Sequence, residues 1–181
     1  LNLNYMFNRT GNEQYDDAIS VFTDLYNTSA LYGQSESYLI PYNIAYCHYN
    51  KGDYNSALRW FDEYLKESRT DFRKEALVRR ADCYFIGKKY KEACSAYDLV
   101  LDDYFNANDI YPYYQAALSY GLCDNTARKV ELLSNVLGAS VDSEFYPEAL
   151  FELGRTYAVK EDDENATKCF DMITATVKDS V

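Results

Sequence analysis

The chain repeats itself at an interval of 36 residues. Its segment from Ala45 to Phe61 reads AYCHYNKGDYNSALRWF, and its segment from Ala81 to Tyr97 reads ADCYFIGKKYKEACSAY. Aligned, the two segments place alanine over alanine twice, cysteine over cysteine, tyrosine over tyrosine, and an aromatic residue over an aromatic residue at the end. Self-similarity at such an interval indicates a repeat architecture, in which each unit buries its apolar surface against its neighbours.

The repeat continues along the whole sequence. A small residue in the second half of each copy recurs at intervals of 39, 36, 36 and 37 residues; these anchor positions are Ala18, Ala57, Ala93, Lys129 and Ala166. Lysine is the exception among them. We expect the copy around Lys129 to be packed less tightly, or the lysine to extend past the seam between helices into solvent.

Each copy carries a recognisable spacing of small and aromatic residues. Ala81 is followed by Tyr84, and after a turn Tyr90 is followed by Ala93 and Tyr97. This pattern resembles the tetratricopeptide repeat, whose usual length is 34 residues. The resemblance covers nearly the whole chain and implies an all-α fold, a right-handed superhelical solenoid of antiparallel helix pairs. It also implies a protein-interaction scaffold, because this family serves many partners.

The apolar residues recur at three and four positions, which is the period of a helix. We predict helices at 14–27, 36–51, 54–67, 72–86, 90–104, 110–122, 126–137, 144–159 and 163–177. As a domain, residues 1–181 form a single solenoid segment of about four and a half hairpins, with a partial repeat at 1–27 and pairs at 36–67, 72–104, 110–137 and 144–177. Residues 1–9 are interpreted as the tail of another helix, and the chain as part of a longer protein.

The charge balance argues against nucleic acid as a partner. The chain has 29 acidic and 18 basic side chains, a net charge of -11, and such a surface repels phosphate. The basic residues between Arg69 and Arg80 are interrupted by Asp71 and Glu75, so a solvated helix face explains them better. No apolar run approaches the ~18 residues of a membrane-spanning helix, so we predict no direct membrane span.

No pattern of reactive residues indicates an enzyme. His48 is the sole histidine and lacks a second ligand at metal-site spacing. The five cysteines fall beside packing positions and are interpreted as small core residues. The acidic run 161–164 lacks the spaced ligands and central glycine of a calcium loop, so we interpret it as a solvated turn. The sequence therefore predicts no catalytic residues, no cofactor and no metal.

The resemblance implies that the first helix of each pair lines a concave face. Projecting the repeat onto these helices gives the predicted partner-binding residues, which are Leu39, Tyr42, Tyr46, Tyr49, Asn50, Val78, Asp82, Phe85, Tyr111, Tyr114, Leu118, Phe151 and Arg155. Tetratricopeptide domains that clamp a carboxylate use lysine, arginine and asparagine here. Only Asn50 and Arg155 fit that pattern, so an aromatic groove for a peptide or partner protein is favoured.

Two alternatives remain open at this point. The aromatic rings could pack between successive first helices instead of binding a partner. The segment could also be structural, self-associating as a homo-oligomer or holding a larger assembly together, with no exchangeable ligand.

The phrase YPEALFELGRTY at 146–157 is similar in style to bacterial envelope repeat proteins, such as the periplasmic Tol-Pal-associated coordinator and the outer-membrane assembly lipoproteins. This similarity favours the periplasm or cell envelope over the cytoplasm, although five cysteines fit an oxidising compartment poorly.

Overall fold

The computed structural model describes residues 12–32, 37–66, 71–106 and 108–178. Within these ranges the regular structure is entirely helical. The helices are α1 Asn12–Tyr32, α2 Ile40–Lys51, α3 Tyr54–Leu65, α4 Arg73–Ile86, α5 Tyr90–Asp103, α6 Ile110–Leu122, α7 Thr126–Ser134, α8 Tyr146–Val159 and α9 Asp163–Lys178. Short 3-10 turns, Ser37–Leu39 and Asn135–Gly138, precede α2 and follow α7. The helix predicted at residues 1–9 lies outside the described ranges.

The predicted helices correspond one to one with the observed ones. The main differences are at the ends: α1 continues to Tyr32, and the segment predicted as one helix at 126–137 changes to a 3-10 turn at Asn135. Pro41, Pro112 and Pro147 all lie in the first turn of their helices. Proline is tolerated there because the first backbone N–H groups have no partner within the helix.

The chain divides into two compact units, Leu1–Lys89 and Tyr90–Val181. In unit 1, α1 packs on α2, α2 on α3 and α3 on α4. Its core contains the fully buried rings of Phe61 and Tyr64, packed with Ala45 and Ala57. Each helix therefore contacts mainly its neighbours in sequence, which is the arrangement that a repeat protein requires.

Unit 2 is built in the same way. Helix α5 packs on α6, α6 on α7, α7 on α8 and α8 on α9. Its core residues are among the most buried in the chain, and they include Ala93, Tyr97, Val100, Leu133, Leu150 and Leu153.

The repeat frame read from the sequence is confirmed by the burial of its anchors. Ala18, Ala57, Ala93 and Ala166 are all buried. A methyl side chain at these positions lets two helix backbones approach closely, and the larger rings then fill the space on either side.

Replacing Ala57 with leucine is expected to lower the free energy of unfolding by about 1–3 kcal/mol, because the added atoms have no room in the seam. Asn55→Leu is the matched control, since Asn55 is exposed on the same helix, and its effect should stay within about 0.5 kcal/mol. Urea unfolding measures both. Equal stability of the two variants would contradict the assignment of Ala57 as a packing anchor of the repeat.

The turns inside the helix pairs share one left-handed residue. It is Gly52 in the first pair, with φ of 83°, and Lys88, Asp124 and Glu161 in the others, each with φ of 59°. Gly87 does not supply this conformation in the second pair: its φ is -71°, and the following Lys88 adopts the left-handed region instead. Lys88 is the residue equivalent to Gly52 in the repeat. The repeat register therefore predicts which position is left-handed, whereas the residue type does not, because lysine seldom adopts this conformation.

The second helices then begin at side-chain caps. Asp53 accepts a hydrogen bond from the backbone N–H of Ser56 at 3.1 Å, and Asn125 accepts one from Arg128 at 3.1 Å. Asp162, within the acidic run 161–164, accepts one from Asn165 at 3.3 Å. These caps satisfy backbone donors that the helix itself leaves unpaired. The acidic run thus begins α9.

Candidate protein-interaction surface

The first-helix face of unit 1, formed by α2 and α4, begins with three tyrosines. Tyr42, Tyr46 and Tyr49 lie about one turn apart on α2 and are partly exposed. The Tyr42 ring centroid lies 5.0 Å from that of Tyr46 and 5.3 Å from that of Tyr64, and it stacks on Phe72 at 5.1 Å. Phe72 immediately precedes α4. These rings therefore pack against each other and against the next first helix.

A polar network joins the same two helices. The Tyr46 hydroxyl donates to Glu75, and the Tyr49 hydroxyl donates to Asp82 at 3.4 Å. Arg79 donates to Glu75 at 2.9 Å and to Asp82 at 2.7 Å. Its guanidinium also lies 5.7 Å from the centroid of the Tyr49 ring. Asp82 is only 3% exposed, so the arginine compensates a carboxylate that water scarcely reaches.

The tyrosine hydroxyls of this network act as donors. Burial raises the pKa of Tyr42 to about 12, and burial together with the charge of Asp82 raises the pKa of Tyr49 to about 12. Burial and the hydrogen bond to Glu75 raise the pKa of Tyr46 still further. All three phenols are therefore protonated at neutral pH, and their O–H groups can satisfy neighbouring carboxylates.

The other predicted residues of unit 1 divide into surface and core. Asn50 is exposed, and Leu39 and Phe85 are partly exposed. Val78 and Asp82, which we expected to project from the face, are buried. The α2–α4 contacts are thus largely internal, as in the alternative interpretation in which the rings pack between successive first helices.

The first-helix face of unit 2, formed by α6 and α8, has a related aromatic contact. Tyr111 and Tyr114 of α6 lie 5.0 and 6.0 Å from the ring of Phe145, measured between centroids, and Tyr114 stacks on it. Leu118, one turn further along α6, is partly exposed. Phe145 precedes α8 as Phe72 precedes α4, 73 residues earlier.

Phe72 and Phe145 share an uncommon backbone conformation that the sequence analysis missed. Their φ angles are 53° and 64°, in the left-handed region that non-glycine residues seldom adopt. In both cases the result is a phenylalanine ring stacked on a tyrosine of the preceding first helix. The sequence did contain one sign of this shared conformation, because both phenylalanines stand at the same position of the repeat, directly before a first helix.

Helix α8 presents an exposed stripe with two apolar side chains. Phe151 is 55% exposed and Val159 is 81% exposed. Glu148 and Arg155 are exposed on the same face of the helix, since residues three and four apart share a face. The Phe151 ring centroid lies 6.0 Å from that of Phe170 in α9. Phe151 is thus the one apolar side chain of the predicted binding residues that is classed as exposed. We name this surface the α8 stripe, Glu148–Phe151–Arg155–Val159.

A buried ion cluster lies directly beneath this stripe. Glu152 is buried and accepts hydrogen bonds from Lys129 at 2.5 Å and from Arg155 at 2.8 Å. Lys129 is the exceptional anchor residue of the repeat, and its side chain is only 13% exposed. The lysine therefore does not extend into solvent as one of our expectations held: it ends on a buried carboxylate.

Gly121 provides the room for this lysine. A Cβ atom at Gly121 would lie 3.0 Å from Cδ of Lys129, closer than side chains normally approach. The glycine near the end of α6 thus lets the lysine stem pass through the seam. The arrangement depends on three residues together: Lys129, Gly121 and Glu152. The sequence analysis considered the anchor positions one at a time and did not predict it.

Acid is expected to remove the contribution of Glu152 to stability. Burial alone would raise the pKa of this carboxyl, but the hydrogen bonds from Arg155 and Lys129 lower it below the ordinary 4.5. The unfolded chain then binds more protons in acid, so the contribution is complete above pH ~4.5 and is lost as the pH falls through the folded pKa. Urea unfolding at a series of pH values measures this effect. The free energy of unfolding should fall less in acid for Glu152→Gln than for the natural chain, and an identical fall would contradict the prediction.

The described ranges were also compared with the requirements of a metal site and of a membrane-spanning helix. Among those residues, no set of three or more His, Cys, Asp or Glu side chains is arranged to hold a metal ion. None of the helices described is long and apolar enough to cross a membrane.

Comparison with known proteins defines the class of the fold. The sequence family described as anaphase-promoting complex, cyclosome, subunit 3 matches residues 11–100. No curated protein matches the chain. The solved structure of MamA superimposes with a TM-score of 0.75 at 15% identity, over 93% of this chain and 91% of that one.

Two further structures agree. The C-terminal part of a tetratricopeptide repeat-containing protein from Cytophaga hutchinsonii gives a TM-score of 0.72 at 17% identity, over 96% of this chain and 63% of that one. YrrB, described as a tetratricopeptide repeat protein with an unusual peptide-binding site, gives 0.68 at 16% identity, over 91% and 78%. The chain is therefore an all-α protein of repeated helix pairs, which confirms the predicted fold class. Its fold is similar to that of these tetratricopeptide repeat structures.

Proposed function

We propose that this chain is a non-enzymatic scaffold that binds a peptide or partner protein on the first-helix face of unit 2. The contact residues would be Tyr111, Tyr114 and Leu118 of α6 with Phe151 and Arg155 of α8. The observation that carries the proposal is the α8 stripe, in which Phe151 and Val159 are largely exposed. Tyr114 of α6 stacks on Phe145, which directly precedes α8. Exposed apolar side chains grouped in this way usually mark a contact surface.

The arrangement offers both affinity and orientation. Phe151 and Val159 can bury apolar side chains of a partner, and the rim contributes the opposite charges of Glu148 and Arg155. Arg155 is held by Glu152 at 2.8 Å, so its guanidinium is already oriented before a partner arrives. YrrB, a structure of similar fold, is described as having a peptide-binding site, which supports a peptide as the partner.

Unit 1 contributes less to the proposed surface. Tyr42, Tyr46 and Tyr49 contact Phe72 and residues of α4, and all three are only partly exposed. Leu39, Asn50 and Phe85 add partly or fully exposed surface. We therefore place a secondary contact there, and the main contact on unit 2.

The test compares two double variants in a pull-down from cell lysate, with mass spectrometry of the retained proteins. Phe151→Ser with Val159→Ser removes the apolar part of the α8 stripe. Phe105→Ser with Val141→Ser is the matched control, because these residues are also in unit 2 and are 74% and 55% exposed, outside the stripe. Both variants should retain the helix content of the natural chain in circular dichroism.

The proposal expects a partner that the natural chain and the control retain and the stripe variant loses, with direct binding then measured by calorimetry on purified components. A partner retained equally by both variants would overturn it. A third outcome would favour the alternative of a self-associating structural segment. In that outcome the natural chain retains no other protein and forms a dimer that the stripe variant does not form.

A further inference from the structure

The five cysteines are not equivalent in the structure. Cys47, Cys83, Cys94 and Cys169 are buried, and Cys123 is partly exposed. Cys94 lies on α5 and Cys123 directly follows α6, and these two helices pack on each other within unit 2. The pair therefore combines a thiol that solvent reaches with one that it does not.

Contacts one turn away fix the register of α5 against α6. The Tyr120 hydroxyl donates to Asp98, and Arg128 reaches the same carboxylate at 3.4 Å while lying 5.9 Å from the Tyr120 ring centroid. Asp98 lies one turn after Cys94, and Tyr120 lies one turn before Cys123. Because neighbouring helices joined by a short loop run antiparallel, pairing Asp98 with Tyr120 also brings Cys94 opposite Cys123.

The neighbouring Cys123 also contributes to the raised pKa of Cys94. Burial, followed by the charge and side-chain hydrogen bond of Cys123, raises the pKa of Cys94 to about 12. For Cys169, on the far helix pair of the same unit, burial is the cause of the raised pKa. The interaction of neighbouring thiols thus distinguishes Cys94 from a cysteine buried for packing.

We propose that Cys94 and Cys123 are a redox-active dithiol that a small hydroperoxide converts to an intramolecular disulfide. The bond would tether the end of α6 to the middle of α5. Since α6 also carries Tyr111 and Tyr114, oxidation would restrict the helix that presents them.

The chemistry follows from the exposure of the two thiols. The Cys123 thiolate attacks hydrogen peroxide, the O–O bond breaks, and a sulfenic acid forms with release of water after protonation. The Cys94 sulfur then attacks the Cys123 sulfur, its proton is lost, and the hydroxyl leaves as a second water. Two thiols and one peroxide thus give one disulfide and two waters. The second step should be slow at neutral pH and faster in alkali, because little of Cys94 is thiolate.

The experiment treats the reduced, full chain with hydrogen peroxide and then alkylates the remaining thiols. Mass spectrometry of the intact chain and its peptides identifies which cysteines are linked. We expect the loss of two hydrogen atoms, a single Cys94–Cys123 linkage, and reversal by dithiothreitol. Cys123→Ser should abolish the linkage, whereas Cys169→Ser, the matched control in the same unit, should retain it.

Three outcomes would overturn the proposal. They are a Cys123 sulfenic or sulfinic acid with Cys94 still free to be alkylated, a dimer linked through Cys123, and a linkage that persists in Cys123→Ser. Each would show that Cys94 and Cys123 do not form the expected intramolecular disulfide.

Discussion

Replacing Glu152 with alanine is expected to lower the free energy of unfolding by about 3–5 kcal/mol, because the change leaves the Lys129 ammonium in the seam without its carboxylate. Lys129 lies 2.5 Å from Glu152, and its side chain is largely buried. Removing one partner of such a pair costs more than the pair contributes, since the remaining charge is no longer compensated. Urea unfolding followed by circular dichroism measures the effect.

Two further variants make the Glu152 result specific. Glu148→Ala lies one turn earlier on the exposed face of α8 and should change stability by less than about 0.5 kcal/mol. Combining Glu152→Ala with Lys129→Ala restores the small anchor found in the other repeats, and it should recover much of the lost stability. If Glu152→Ala were as mild as Glu148→Ala, the buried ion cluster would not exist as described.

Replacing Arg79 with alanine is expected to lower the free energy of unfolding of unit 1 by about 3 kcal/mol. The guanidinium donates to the buried Asp82 at 2.7 Å and to Glu75 at 2.9 Å, and it lies over the Tyr49 ring. Its loss would expose a buried carboxylate to an environment that stabilises the charge poorly. Chemical denaturation, monitored by tyrosine fluorescence and circular dichroism, measures the change.

The neighbouring arginine is the matched control for this prediction. Arg80 pairs with Asp62 at 3.3 Å, but Asp62 is 48% exposed, so solvent screens the pair and its contribution should be below about 1 kcal/mol. Adjacent residues of the same type therefore give different expected results because of the burial of their partners. Equal effects of Arg79→Ala and Arg80→Ala would contradict the network described for the α2–α4 face.

The sequence predicted the helices and their packing anchors well because both depend on local patterns. A small residue at positions such as Ala57 and Ala93 recurs at a fixed interval, and the structure buries both. Turn positions also followed the repeat register, as Gly52 and Lys88 show. These features repeat along the chain, so each copy supports the assignment of the others.

Contacts that differ between copies could not be predicted in this way. The pairing of Lys129 with Glu152 joins residues on two different helices and depends on space above Gly121. Likewise, the left-handed conformation of Phe72 and Phe145 has no signal in residue type, since bulky residues disfavour it. Such features depend on tertiary packing that overrides local preference.

The predicted binding residues illustrate the same division. Projection of the repeat places Val78 and Phe151 at equivalent positions, yet Val78 is buried and Phe151 is exposed. Position in the repeat alone does not decide whether a side chain is covered by its neighbours. The sequence named Phe151 and Arg155 of the α8 stripe, and the structure adds that Phe151, unlike Val78, is exposed.

Hydrogen–deuterium exchange with and without the captured partner shows whether that partner docks on the first helices of unit 2. We predict slower exchange on binding in α6 and α8, centred on the segments around Tyr114 and Phe151. Protection confined to the second helices α7 and α9, or unchanged exchange throughout unit 2, would contradict the proposed surface.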